Sequence, residues 1–135
     1  MRNTQTIYIL LLALTALVLS SCGGGGGPTG PSNPPQLTGY LVENEQEVRP
    51  GSTTIVVRID YIDMSRTMQD GVAYITYSEG TYTSTISNAA AASGTMLISF
   101  DLSPLVKPGE LLVEVWVQNG NGESSNTIQI LLNVT

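Results

Sequence analysis

Cys22 is the only thiol in a chain of 135 residues that contains no histidine. Without histidine the commonest general base and the commonest neutral metal ligand are both missing, so hydrolase triads are excluded. The remaining chemistry-bearing groups are carboxylates and amides. Asp60, Asp63 and Asp70 fall in or beside one segment, and Asn119, Asn121 and Glu123 fall in another. Ca²⁺ favours such hard oxygen donors, about six to eight of them. The order D-x-x-D-x₆-D is not that of an EF-hand loop, however, and Asp and Asn also bond their own backbone in ordinary turns. A calcium site and a pair of solvated loops both fit these residues. A glycosidase needs two acids flanking a cleft, which a small, short-looped domain rarely builds. The only glycine cluster, at 23–27, follows Cys22 rather than a strand, so it does not fit a nucleotide loop. The sequence is therefore read as non-enzymatic, with no cofactor and no nucleotide site.

The residues before Cys22 have the three parts of an export signal: positive charge at the amino terminus and Arg2, an apolar run over 7–19, and small Ser20 and Ser21. The run is short of the roughly 20 residues that span about 30 Å of hydrocarbon. Together, Leu19-Ser20-Ser21-Cys22 resembles the lipobox of bacterial lipoproteins. The resemblance implies that residues 1–21 are a cleaved signal peptide and that the Cys22 thiol takes a diacylglycerol thioether. It further implies that Cys22 becomes the first residue of the mature chain, its amine often acylated. Several acyl chains would hold the protein on a membrane without spanning it. Lipoproteins with aspartate after the cysteine favour the inner membrane; this chain has Gly23, so the resemblance implies the outer membrane of a cell envelope.

Residues 22–36, beginning CGGGGGPTGPSNPPQ, lack apolar periodicity and read as a tether. Its glycine half is a flexible coil and its proline half a stiffer spacer, with a reach of about 45 Å at roughly 3.3 Å per residue. Residues 37–135 then form one domain-sized stretch. With Cys22 used for lipid, that domain has no disulfide and no thiolate metal site. From Cys22 onward the net charge is −7, which speaks against nucleic acid and against direct binding of anionic head groups.

Over 37–135 apolar and polar residues alternate between Gly, Pro, Asn and Ser breaks, the pattern of half-buried strands. Strands are expected at 37–43, 53–62, 72–78, 81–87, 95–102, 111–118 and 127–134. Residues 89–92 could start a helical turn, but Asn88 and Gly94 bracket it closely. The core faces are Ile55, Val57, Ile59 and Tyr61; Met96, Ile98, Phe100 and Leu102; Leu111, Val113, Val115 and Val117; and Ile128, Ile130, Leu132 and Val134. Seven antiparallel strands with this spacing, closed by VEVWVQNGNGESSNTIQILLNV, resemble an immunoglobulin-like or fibronectin type III-like β-sandwich of the sort carried by bacterial envelope proteins. Val57 and Val115 stand where true immunoglobulin domains carry their cysteine pair.

The Pro-Gly pairs at 50–51 and 108–109 each suit a turn, Pro first and Gly second. If the strands alternate direction, the tether enters at the end that carries the loops 63–71, 88–94 and 119–126. The Pro-Gly turns, the 79–80 turn and Thr135 then lie at the far end. Glu43, Glu45 and Glu47 share a face of an extended chain, as a charged edge or a strip for a basic partner. Trp116 is out of phase with the core valines and is expected to point outward, where it is the binding candidate. The sequence thus describes a lipid-anchored envelope module with a protein or glycan partner.

Overall fold

A computed structural model describes residues 33–43 and 48–135; Cys22, Glu45 and Glu47 lie outside them. Seven strands follow in order: β1 (Gln36–Val42), β2 (Thr54–Ile62), β3 (Val72–Tyr77), β4 (Gly80–Thr85), β5 (Ser93–Asp101), β6 (Gly109–Gln118) and β7 (Ile128–Val134). They form two antiparallel sheets, β1-β2-β5 and β4-β3-β6-β7. The domain is a β-sandwich, as the alternation requires, because each strand has one apolar face to bury. In a constant-type immunoglobulin domain the fourth strand completes the first sheet. Here β4 instead pairs with β3, from Val72 opposite Thr85 to Tyr77 opposite Gly80. Past Thr85 the chain crosses to the other sheet, where Ser87 bridges Leu97 of β5.

The four apolar faces read from the sequence all turn inward; Ile128 alone is only partly buried, packed against the rest. β3 adds Ala73, Ile75 and Tyr77, so Tyr74 is left on the outer face. Its sequence VAYITY is apolar at both parities, and period two alone leaves its facing open. β4 has no buried residue; it is an edge strand, and Ser84 Oγ donates to Ser99 O of β5 (2.8 Å) across the two sheets.

One of the two Pro-Gly pairs makes the expected turn. Ser52 N donates to Arg49 O (3.2 Å) around Pro50 and Gly51, whose φ of 75° is the left-handed value that glycine tolerates at that position. At the second site the turn falls earlier, over Ser103-Pro104-Leu105-Val106, where Val106 N donates to Ser103 O (3.1 Å). Gly109 instead opens β6. Residues 89–92 form no helical turn. A 3₁₀ turn occurs at Met68–Asp70, with Met68 fully buried.

Strand direction places the loops as expected. Gln36 pairs with Ile62, so the chain enters beside the 63–71 loop. Thr135 N meets Val48 O (3.0 Å) and Gly51 N meets Leu102 O (3.0 Å) at the opposite end. Pro35, assigned to the tether, is buried, so the spacer's last residues already belong to the folded body.

Burial predicts two unequal truncations. Ile59→Ala, at a position with no solvent exposure, should lower the unfolding free energy by about 2–5 kcal/mol. Leu131→Ala on the outer face should lower it by less than about 0.5 kcal/mol. Urea titrations check this, and equal losses would contradict the assigned faces.

Candidate functional site

Two groups of residues single themselves out, one in the loops at the end where the chain enters β1 and one on the outer face of the four-stranded sheet.

The loop group is built on Asp63, which follows β2 directly and is 1% exposed. Its Oδ1 accepts from Ser65 Oγ (2.6 Å), Ser65 N (3.3 Å) and Asn119 Nδ2 (3.2 Å), and its Oδ2 accepts from Thr67 N (2.9 Å). Its backbone N–H donates to Ala92 O (2.7 Å) in the loop before β5. One residue therefore binds all three loops of this end. Burial by itself raises the Asp63 carboxyl, but the hydrogen bonds from Ser65, Thr67 and Asn119 outweigh it and hold the group below its ordinary 3.8. Asn119, 3% exposed, directly follows β6 and mirrors this role. Its Oδ1 accepts from Asn121 N (3.1 Å) and Glu123 N (3.0 Å). Its Nδ2 also faces Ser65 Oγ (3.1 Å) and Glu123 Oε2 (3.2 Å).

Gly71 completes the lock by close approach. A Cβ there would stand 2.1 Å from Gln118 O and 2.9 Å from Asn119 Cα. Asn126 performs the last fastening, between the sheets: Leu37 N donates to its Oδ1 (2.7 Å) and its Nδ2 donates to Leu37 O (3.0 Å). The first strand is therefore pinned where it enters the sandwich.

The residues nominated for calcium do not form one ligand set. Asp63 and Asn119 meet, but as acceptor and donor of a filled network. Asp60 lies on the exposed face of β2, where Thr95 Oγ1 donates to it (2.8 Å). Asp70 ends the 3₁₀ turn, exposed, and Asn121 is at an exposed loop tip. Among the described residues no group of three or more His, Cys, Asp or Glu side chains is placed to hold a metal ion. Of the six residues weighed in the sequence, Asp63 and Asn119 are the pair that meets directly between the two segments.

On the sheet face, Trp116 points outward as expected, but it is not bare. It is half-buried and stacks on Tyr74 of β3, directly opposite in register, with ring centroids 4.0 Å apart and planes 7° from parallel. Each ring covers one face of the other. A second stack, Tyr77 on Tyr82 (4.9 Å), faces inward at the β4 edge. Burial pushes the Tyr77 phenol up to about 12 although Ser103 N donates to its oxygen (3.0 Å). Tyr77 is thus a fastening for the far-end turn. Glu43, the described member of the acidic strip, is ion-paired with Arg58 across β1 and β2.

No protein-family model and no curated protein matches the chain. Among solved structures its fold is similar to the PKD domain of an M14-like peptidase from a Thermoplasmatales archaeon, at 16% identity and TM-score 0.51, covering 76% of this chain and 96% of that one. Weaker likenesses are to the archaellum periplasmic stator protein FlaG of Sulfolobus acidocaldarius (14% identity, 71% of this chain and 97% of that one, TM-score 0.46) and to the FlaF and FlaG stator complex of the same organism (12%, 78% and 95%, TM-score 0.45). At these identities the likeness extends to the sandwich fold.

The lock predicts a specific acid response. Asp63→Ala strands the Thr67 amide, while Asn119 Nδ2 keeps Ser65 Oγ and Glu123 Oε2, and should cost about 1–3 kcal/mol. The Asp63 carboxyl lies lower in the folded than in the unfolded chain, so its stabilisation is complete above the ordinary value of 3.8 and fades as pH falls through the folded value. Wild-type protein should therefore lose more stability than Asp63→Asn below about pH 4. Urea melts at several pH values check this, and parallel losses would contradict it.

Proposed function

We propose that the chain is a lipid-anchored bacterial envelope lipoprotein whose sandwich acts as a non-enzymatic interaction or structural module, held off the membrane by its Gly/Pro tether. The anchor rests on Leu19-Ser20-Ser21-Cys22 and the apolar run before it. The observation that carries the display reading is the pinned entry point: Leu37 is clamped by Asn126 and Pro35 is buried. A lipid on Cys22 would hold the locked loops toward the membrane and leave the sheet faces and the far end to the surroundings. Gly23 after the cysteine favours the outer membrane.

A protein partner suits the surface better than a glycan does. Sugar rings stack on open aromatic planes, and Trp116 and Tyr74 already cover one plane of each other. Two open grooves of about 240 and 340 Å³ lie at the margins of the four-stranded sheet.

The anchor has a direct test. When the full chain is expressed in a Gram-negative host, the mature protein should begin at Cys22 and carry added lipid mass by intact mass spectrometry. Cys22→Ala should abolish both cleavage and lipid. An unmodified, uncleaved wild-type chain would contradict the proposal.

A further inference from the structure

The outer face of the four-stranded sheet carries a pattern that the anchor does not use. Along β6 the outward residues run Glu110, Leu112, Glu114, Trp116 and Gln118, about 6.8 Å apart. Leu112 stands opposite Leu131 of β7, and the two are 49% and 56% exposed. Trp116 stands against Tyr74. Glu114 sits in the row between these pairs, flanked by Thr76 and Gln129. Gln129 Nε2 donates to Glu114 Oε1 (3.2 Å), which leaves Oε2 for a partner. A carboxylate is therefore set in the middle of an exposed apolar stripe.

Charge selects what can cover it. Strands β3, β4, β6 and β7 contain no lysine or arginine. Lys107, in the loop before β6, borders only the Glu110 end, where both line one groove. The same sheet of a second copy would bring no cation to Glu114, since its strands carry none, and would leave the carboxylate unpaired in a dry contact. An anionic surface would be repelled. A cation on the partner meets the opposite condition, since its aliphatic stem can lie on the leucines while its charge reaches Glu114 beside the rim of the Trp116 and Tyr74 rings.

We propose that this face docks a partner protein segment that places an arginine or lysine on Glu114 and an apolar side chain on the Leu112 and Leu131 pair. The inference rests on reading the domain as an interaction module and names the chemistry of the partner.

The test is site-specific photo-crosslinking of the full chain in its own cells. A photoreactive phenylalanine analogue replaces Leu112 or Leu131, or, as a control at the far end, Leu105. The expected result is a discrete adduct from Leu112 and Leu131 whose sequenced peptide carries Lys or Arg beside an apolar residue. Its yield should fall at least about tenfold with Glu114→Lys and less with Glu114→Gln. Thermal melts of both variants show that the fold is kept. Adducts to a second copy or to glycan, adducts insensitive to Glu114→Lys, or no adduct from either leucine would each overturn the inference. An adduct from Leu105 with none from the two leucines would overturn it while leaving the interaction reading standing; silence at all three positions would overturn both.

Discussion

The structure depends on one buried carboxylate. Asp63 receives four hydrogen bonds from its own loop and from Asn119, and its backbone amide reaches a third loop. A charge held this far from water is tolerated only when its lone pairs are filled, so the loop conformations are fixed together or not at all. This matters because no cysteine lies within the domain to join its two sheets. At the end where β1 begins, polar contacts join the loops and sheets: Asp63 to Asn119, and Asn126 to Leu37. At the far end the same task falls to the Tyr77 hydroxyl accepting from Ser103 N, and to Thr135 N on Val48 O. Between them lies a core of aliphatic residues with three tyrosine and phenylalanine rings.

Much of this was legible in the sequence, and the reasons differ by residue. β2, β5, β6 and β7 follow from alternation, because a sandwich strand has one dry face and the period is two. The pattern fails where that condition fails. VAYITY in β3 is apolar on both sides because Tyr74 pairs with Trp116 on the outside. The 3₁₀ turn at Met68–Asp70 had no local signal; it is shaped by Met68 entering the core and Gly71 meeting Gln118 and Asn119 from a distant part of the chain. Pro108-Gly109 carries turn chemistry, yet Ser103-Pro104 turns the chain first. Asp63 and Asn119 stood among six oxygen-bearing residues, and spacing alone could not show that these two meet, because their contact joins positions 56 residues apart.

The distribution of charge links the fold to its use. Arg49, Arg58, Arg66 and Lys107 all lie on β2 or in loops, so the four-stranded sheet is left acidic and apolar on its outer side. That asymmetry is independent of the core, which is uncharged, and independent of the loop lock. It is the part of the molecule that packing does not explain. A module pinned at one end and tethered there would present this face sideways, within reach of neighbours on the same membrane.

The proposed anchoring turns on which end of the sandwich would face the membrane. The direct measurement uses spin labels at Gly80 and at Asn121 in the mature protein anchored in liposomes, with accessibility to a lipid-soluble relaxant read by electron paramagnetic resonance. The account predicts that Asn121, in the locked loops beside the tether, lies closer to the lipid than Gly80 at the far end. The reverse order would contradict it.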